Sequence, residues 1–412
     1  MSEAVEPVTR LSQLRRMTGG WLFVVSFAAR LPVAMNVVGV LTLVTVVRGS
    51  VADGGLVSAA LGIASGIGGP VIGAIADRVG QRGVLLAVAV LHPAVLAVLV
   101  LTVHADAPLA AVVAVSALAG ATIPPASPLM RARWLALLAA DARAGGRGVP
   151  VALGYESMAD EISFVGGPVL VGVLATAFGA VAPIVACGVL AFVAVAAFAL
   201  HPSAALVHAS EHEGARVVAP RRALLAAAVL LPTGGMLFMG AFFGATLAAL
   251  TAFMEEAGAG ESTGLFYGIM GATSAVAALL VGRLPAAFPL GARWAVGAAC
   301  LGLAGLVLTL APTLPVLVVV FVLAGVAVGS TLVTLFTIGA DAAPAGHLAT
   351  TMTMLSSGIT IGQGVAVALV GAFAAAHGAA ASFLWIAVAG AAGLVTALAF
   401  LASRQPRAGQ LR

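Results

Sequence analysis

The chain has 412 residues, of which 62% are hydrophobic and 8% are charged, and its formal net charge is +4. This composition, with a mean hydropathy of +1.16, excludes a soluble globular domain. It indicates a polytopic helical membrane protein, because apolar runs of about 20 residues, the length that crosses a bilayer, follow one another almost from end to end.

The basic residues, 19 in number, are all arginine. With abundant alanine, glycine and valine, this usage indicates a GC-rich genome such as that of an actinobacterium. The arginines are scattered between the apolar runs and not interleaved with aromatic residues, so we expect no nucleic-acid partner. Cys187 and Cys300 both lie within apolar runs and offer neither a disulfide framework nor a metal cluster. The sequence therefore predicts no cofactor and no metal.

Charged residues and Pro/Gly clusters divide the chain into twelve predicted membrane helices, numbered spans 1 to 12 in chain order. Their expected starts are Gly20, Gly55, Val84, Pro108, Val149, Val181, Ala223, Ser262, Trp294, Leu314, Leu348 and Ala379. One long polar segment separates spans 6 and 7. The predicted domains are a six-helix bundle over 1–200, a cytoplasmic linker over 201–222 and a second six-helix bundle over 223–412. His208 and His212 in the linker have metal-ligand spacing, but a solvated linker is the preferred interpretation.

The arginines predict which side of the membrane each loop faces, because short cytoplasmic loops carry the excess of positive charge. Alternation of the spans places 17 arginines on one side and only Arg48 on the other. Both termini and the linker are therefore predicted to be cytoplasmic, in a multi-pass protein of the cell membrane. The first apolar run lacks the cleavage pattern of a signal peptide, so we expect the N-terminus to be retained.

A short charged hairpin, GAIADRVGQR, joins spans 2 and 3. Gly73 and Gly80 flank its charges where the chain must turn tightly from one helix into the next. We interpret it as a conformational latch, in which Asp77 and the nearby Arg78 and Arg82 form a charge relay that holds the two halves of the protein in one state. Positive-inside anchoring is the alternative, although anchoring needs no aspartate.

This hairpin, placed after the second of twelve spans, resembles the signature of the major facilitator superfamily. That signature is glycine, three residues, aspartate, a basic residue, one residue, glycine and then basic positions. The residues that match it are Gly73, Asp77, Arg78, Gly80 and Arg82, whereas Gln81 occupies a position that is usually basic. The resemblance covers nearly the whole chain. It implies an all-α integral membrane fold of twelve helices in two six-helix bundles, and secondary transport by alternating access.

The sequence GGPV occurs at 68–71 in span 2 and again at 166–169 in span 5. Spans 2 and 5 are equivalent in a three-plus-three inverted repeat. Proline removes a helix hydrogen bond and glycine permits close approach of another backbone, so these sites are predicted helix bends and packing points. The residues assigned to bending and packing are Gly69, Pro70, Gly154, Gly167, Pro168 and Gly172. Ordinary small-residue packing is the alternative.

Span 5 also resembles the antiporter signature of the drug-efflux branch of that superfamily, the twelve-span drug:proton antiporters. Its glycine and Gly-Pro positions are matched by Gly154, Gly167, Pro168 and Gly172, while Ser163 and Val171 replace two glycines. The resemblance implies export in exchange for protons.

Span 5 carries three acids at membrane depth, Glu156, Asp160 and Glu161. Each unpaired charge there costs roughly 2.5 to 3.5 kcal/mol, so partners are expected. At about 1.5 Å per residue, Arg30 in span 1 lies as deep as Asp160, which predicts its pairing with Asp160 or Glu161. Arg131 in span 4 lies at the level of Glu156 and predicts a second pair. Such carboxylates could exchange protons; fixed ion pairs between spans 1, 4 and 5 are the alternative.

In the superfamily that the chain resembles, spans 1, 4, 7 and 10 line the central path. With span 11 added, the residues predicted to line the substrate cavity are Asn36, Met236, Met239, Phe242, Phe243, Thr334, Thr337 and Gln363. Span 11 also carries Thr353, Ser357 and Thr360 as polar residues expected along the path. Methionine and phenylalanine surfaces can repack around varied ligands, so this set suits a hydrophobic or amphiphilic molecule. Methionines that face lipid and hydroxyls that pack between helices are the alternative for any one of them.

Together these features predict a monomeric, lipid-embedded secondary transporter that exports a drug-like small molecule in exchange for protons. Import of a small metabolite, proton-coupled or facilitative, is the alternative. A non-transporting receptor is less favoured, because the chain has no sizeable soluble domain. An enzyme is disfavoured because no Ser or Cys lies beside a plausible base. A channel is disfavoured because no filter sequence is repeated.

Overall fold

The structure, a computed structural model, describes residues 11–140, 148–205, 218–259, 263–285 and 287–404. Within these residues the chain forms helices and no strands, and twelve helices are long and apolar enough to cross a membrane. The predicted fold class is therefore confirmed. His208 and His212 of the predicted linker lie outside the described residues.

The spans begin within four residues of the predicted starts. Spans 1 to 6 are Gly20–Arg48, Val51–Val79, Gln81–His104, Leu109–Ala121 continued by Ala126–Ala140, Gly148–Phe178 and Ala182–Leu200. Spans 7 to 12 are Ala227–Glu256, Thr263–Leu280, Leu290–Leu310, Leu314–Ala342, Leu348–His377 and Ala379–Ser382 continued by Leu384–Arg404. A short helix, Leu11–Thr18, precedes span 1, and the 3-10 turns Arg221–Leu225 and Val281–Arg283 lie before span 7 and after span 8.

Spans 1–6 and spans 7–12, here called the first and second halves, meet along two seams. Span 2 packs against span 11, and span 5 packs against spans 8 and 10. The close contacts of both seams lie toward the arginine-rich ends of the spans: Gly73 faces Thr353, and Gly154 faces the backbone of Ala278. Gly62, nearer the opposite end of span 2, has no such neighbour within 4 Å. The halves are therefore closed together on the arginine-rich side.

Span 4 is interrupted at 122–125, where two consecutive prolines cannot donate helix hydrogen bonds. A buried polar chain from three spans packs against this break. His92 Nδ1 lies 3.1 Å from the Ala119 carbonyl oxygen and 3.2 Å from Thr122 Oγ1, and His92 Nε2 lies 3.1 Å from Asn36 Nδ2. These contacts pair the buried His92 ring with polar atoms at the break, as a polar side chain in an apolar interior requires.

The two GGPV segments occupy equivalent places in the first half. A side chain at Gly68 would meet the backbone of Ala121 in span 4, and one at Gly167 would meet Ala34 in span 1. Spans 1 and 4 are also equivalent in a three-plus-three inverted repeat. The glycine of span 2 that packs on span 4 therefore corresponds by symmetry to the glycine of span 5 that packs on span 1. The proline of each segment lies inside its helix.

Candidate functional site

Asp77 connects the two halves at the arginine-rich side. Its carboxylate accepts hydrogen bonds from the backbone N–H groups of Ala349 and Thr350, each at 2.8 Å, and from the Thr350 hydroxyl. These N–H groups lie in the first turn of span 11, where they have no partner within the helix and where the helix dipole favours an anion. Asp77 is buried, so one carboxylate of the first half caps a helix of the second half.

The charge relay predicted for this hairpin differs from the observed arrangement. Arg78 and Arg82 are exposed, and neither forms an ion pair within the described part of the chain. The contact runs instead from Asp77 to a helix terminus 272 residues further along the chain. Gly80 alone separates spans 2 and 3, and its φ of +86° is one that glycine adopts without strain.

Gln81, the departure from the basic pattern, is buried beside an arginine. Arg133 Nε of span 4 donates a hydrogen bond to Gln81 Oε1 at 2.8 Å. The Arg133 guanidinium stacks 3.6 Å from the ring centroid of Phe198 in span 6. The positive charge that the signature places at position 81 is therefore supplied by Arg133 of span 4. The sequence of the hairpin alone does not reveal this.

Three of the other glycines assigned to packing differ in their surroundings. A side chain at Gly69 would lie 3.2 Å from the Ser357 hydroxyl oxygen of span 11. One at Gly154 would lie 2.3 Å from the Ala278 carbonyl oxygen, closer than any Cβ can approach. Gly172 has nothing within 4 Å and is exposed, so in this conformation it makes no close helix contact.

Four charged side chains form a buried cluster inside the first half. Arg30 in span 1 donates through Nη2 to Glu156 Oε2 at 2.7 Å and through Nη1 to Asp160 Oδ1 at 2.9 Å. Arg131 in span 4 donates through Nη2 to Asp160 Oδ2 at 2.8 Å. The Ser127 hydroxyl also donates to Asp160 Oδ2, at 2.8 Å. The two acids and two arginines balance, so the cluster carries no net formal charge.

The cluster contains one of the predicted pairs and lacks the other. Arg30 contacts Asp160 as expected, but Arg131 pairs with Asp160 and not with Glu156. The second oxygen of Glu156 accepts a hydrogen bond from Trp134 Nε1 at 2.9 Å instead. Counting residues along the helices placed these side chains at similar depths in the membrane. Which acid Arg131 contacts depended instead on the rotation of span 4 about its axis.

Glu161 lies apart from the cluster, at the seam between the halves. It accepts a hydrogen bond from the Ser274 hydroxyl of span 8 at 3.0 Å. In the described residues no arginine forms an ion pair with it. Glu161, one of the two partners predicted for Arg30, is therefore the span 5 acid that forms no ion pair in the described residues.

A cavity of about 100 Å³ lies between the halves beside Asp160. Its polar and aromatic lining includes Arg30, Ser65, Ser127, Asp160, Ser163 and Phe164 from the first half, and Phe336, Thr353, Ser356, Ser357 and Thr360 from the second. Pockets for drug-sized ligands measure about 300 to 1,000 Å³. In this conformation the cavity accommodates only a small group or a few water molecules.

The eight residues predicted to line the substrate cavity are not among the residues that line this one. The four from span 7 are Met236, Met239, Phe242 and Phe243, which belong to the hydrophobic core of the second half. Asn36 donates to the Pro32 carbonyl oxygen at 2.7 Å, in addition to its contact with His92.

The remaining three of the eight lie in spans 10 and 11. The hydroxyls of Thr334 and Thr337 each donate to a backbone carbonyl four residues earlier in span 10, at 2.7 Å. The backbone of Gln363 packs against Gly244 in span 7. Spans 1, 4, 10 and 11 line this cavity as predicted, but through other residues of those helices, among them Thr353, Ser357 and Thr360 of the predicted span 11 stripe. Spans 2 and 5 line it as well, whereas no residue of span 7 does.

Comparison with known proteins agrees with this architecture. Residues 22–347 match the family model described as Major Facilitator Superfamily. No curated protein matches the chain.

Solved structures of transporters are similar over most of the chain, and two of them illustrate the likeness. The human organic anion transporter MFSD10 (TETRAN) is 18% identical, with a TM-score of 0.63 over 91% of this chain and 96% of that chain. A bacterial homologue of the iron transporter ferroportin, outward-facing with soaked iron, is 14% identical, with a TM-score of 0.69 over 93% of this chain and 98% of that chain. At these identities the likeness concerns the fold. With the family model matching most of its length, the chain belongs to the Major Facilitator Superfamily and is a multi-pass membrane transporter rather than an enzyme.

Proposed function

We propose that the protein is a proton-coupled exporter of a hydrophobic or amphiphilic small molecule, working as a monomer in the cytoplasmic membrane. Glu161 carries the exchanged proton in this proposal. The observation that supports it is the position of Glu161 at the seam between spans 5 and 8, hydrogen-bonded across the seam to Ser274 without an arginine partner in the described residues.

The closed seam favours a protonated Glu161. Glu161 is half-buried there and forms no ion pair in the described residues, so its charged form is partly desolvated without a compensating cation, and a bound proton removes that cost. Alternating access requires spans 5 and 8 to separate on the arginine-rich side, which admits water to the carboxylate and favours release of the proton there. Each cycle then moves a proton toward that side, predicted to be the cytoplasm.

Asp160 is less suited to exchange a proton. Both of its oxygens are held by arginines, and Ser127 adds a further hydrogen bond. Each of these donors stabilises the charged form. The cluster of Arg30, Arg131, Glu156 and Asp160 therefore serves first to hold spans 1, 4 and 5 together.

The proton gradient supplies enough free energy for export. One charge that moves through 100 mV releases about 2.3 kcal/mol, and one pH unit releases about 1.4 kcal/mol. The proton gradient drives export if the protein carries the substrate outward in the half of the cycle in which Glu161 has lost its proton.

Uptake of a small polar metabolite is a second candidate, and the cavity lining favours it. Seven of the lining residues are serine or threonine, which suit a hydroxylated or otherwise polar molecule better than a purely hydrophobic one. A divalent metal ion is disfavoured at Asp160, because Arg30 and Arg131 already neutralise that carboxylate and would repel the ion.

The test is to measure proton movement by purified protein in detergent on addition of a panel of hydrophobic compounds. We expect substrate-dependent proton release in the wild type and in Asp160→Asn, and its loss in Glu161→Gln. Glu255→Gln, at an exposed position near the end of span 7, is the matched control and should behave as wild type. Unchanged proton release in Glu161→Gln would remove Glu161 from the coupling mechanism.

The direction of transport needs a second readout, in proteoliposomes with an imposed pH gradient. Protein oriented with its arginine-rich side outward should accumulate a hydrophobic compound inside vesicles whose interior is acidic, if it is an exporter. Depletion of the vesicles, or transport of polar metabolites only, would favour uptake.

A further inference from the structure

Arg131 contacts both halves of the protein. Its guanidinium carbon lies 3.8 Å from the ring centroid of Phe336 in span 10. Arg131 and Phe336 are 1% and 2% exposed, so the contact is screened from water. Arg131 belongs to the first half and Phe336 to the second, and the contact therefore crosses the boundary between the halves.

The edge of the same guanidinium belongs to the charge cluster. Nη2 donates to Asp160 Oδ2 at 2.8 Å, and Nη1 donates to the Ser127 hydroxyl. The third nitrogen, Nε, is buried without a hydrogen-bond partner in the described structure. The orientation of the guanidinium therefore depends on Asp160 at its edge and on Phe336 across its face.

Phe336 also lines the cavity that Asp160 lines. A ligand group in a cavity of this size would lie close to both of them. Any change in the charge of Asp160, or any group that draws Arg131 toward the cavity, would move the guanidinium away from the ring. A cation over an aromatic face is stabilised most when both groups are desolvated, as they are here.

We propose that Phe336 is a positioning residue that links the charge cluster to the closure of the two halves. While Asp160 holds Arg131 against the ring, the contact stabilises the state that is closed on the arginine-rich side. When the pairing of Asp160 changes, the contact weakens and this state loses stability relative to the state that is open on that side.

The test measures the ratio of open to closed protein from distances between two spin labels. With Cys187 and Cys300 replaced by serine, labels are attached at Gly83→Cys and Ser403→Cys. Both positions are exposed at the arginine-rich side, one in each half. We expect Phe336→Leu to raise the ratio of open to closed protein by about 2- to 30-fold, because the variant removes the stabilisation that a cation–π contact gives the closed state. Phe336→Tyr keeps the ring and should stay within about 2-fold of wild type.

A matched control separates this role from general packing. Phe321 lies in the same span, is equally buried and belongs to the same core, but it stacks on no arginine in the described residues. Phe321→Leu should leave the ratio unchanged.

A double-mutant cycle with Arg131→Met completes the test. If the contact acts through the guanidinium, Phe336→Leu has little further effect once the charge is absent. An equal shift with and without Arg131, or no shift in Phe336→Leu, would overturn the proposal. Because the readout is a distance distribution, the result does not depend on which ion or substrate the protein transports.

Discussion

At the scale of single residues, Asp77 shows how one carboxylate can bias a conformational equilibrium. It accepts two backbone N–H groups from the first turn of span 11, and these bonds exist only while the halves are together on the arginine-rich side. Helix N-termini stabilise a nearby anion by up to about 2 kcal/mol when the site is partly buried. Arg78, the next residue, is exposed and contributes none of these bonds.

We therefore predict that Asp77→Asn opens the arginine-rich side more often. The amide keeps the size of the side chain but loses the charge, so the closed state should lose about 1 to 2 kcal/mol, or roughly 5- to 30-fold in population. The measurement is the reactivity of a cysteine at Ser356, which lines the cavity, toward a membrane-impermeant thiol reagent added on the arginine-rich side. Arg78→Gln is the control, and an equal increase in both variants would contradict a specific role for the carboxylate.

At the scale of helices, the seam between spans 2 and 11 depends on the absence of side chains. A Cβ added at Gly73 would lie 2.4 Å from Thr353 Oγ1 and 2.9 Å from the Ala349 carbonyl oxygen. In a membrane there is little hydrophobic drive between helices, so close backbone approach supplies much of the packing energy. The glycine of the signature thus brings Asp77, one turn further along, within reach of span 11.

Gly73→Ala should accordingly separate spans 2 and 11 and cost about 1 to 3 kcal/mol, the usual penalty for overpacking. Gly62→Ala, on the same span but with nothing within 4 Å, should be neutral or slightly stabilising. Thermal unfolding in detergent and the Ser356 cysteine assay would both report the difference. Equal stability and reactivity of the two variants would show that this seam tolerates a side chain.

At the scale of the whole molecule, transport requires the closed seams to open in turn. The seam between spans 5 and 8 offers a direct test, because a Cβ built at Gly282 would lie 3.7 Å from Pro150 Cβ, a separation that suits a disulfide. In protein lacking its native cysteines, Pro150→Cys with Gly282→Cys should cross-link on oxidation, abolish transport and recover it on reduction. The two single-cysteine variants are the controls, and undiminished transport by the cross-linked protein would show that this seam need not open.

The number of spans and their starts, to within four residues, could be predicted from the sequence alone. These depend on the length and polarity of local segments, and each helix satisfies its own backbone hydrogen bonds. The hairpin, together with its place after the second of twelve spans, likewise indicated the family that the family model shows. Depth along spans 1 and 5 limited the predicted partner of Arg30 to Asp160 or Glu161, because two helices that start on the same side of the membrane can be compared level by level. In the structure Arg30 pairs with Asp160, and also with Glu156.

The direction in which each side chain points depended on how the helices pack together. Asp77 caps a helix 272 residues away, Arg131 pairs with Asp160 and stacks on Phe336, and Glu161 turns to the opposite half. In an almost uniformly apolar chain, hydrophobic periodicity specifies the rotation of a helix only weakly, and small residues from distant spans determine which faces come together. The ends of the helices were therefore decided locally, whereas the cavity, the latch and the partners of the acids depended on the packing of all twelve.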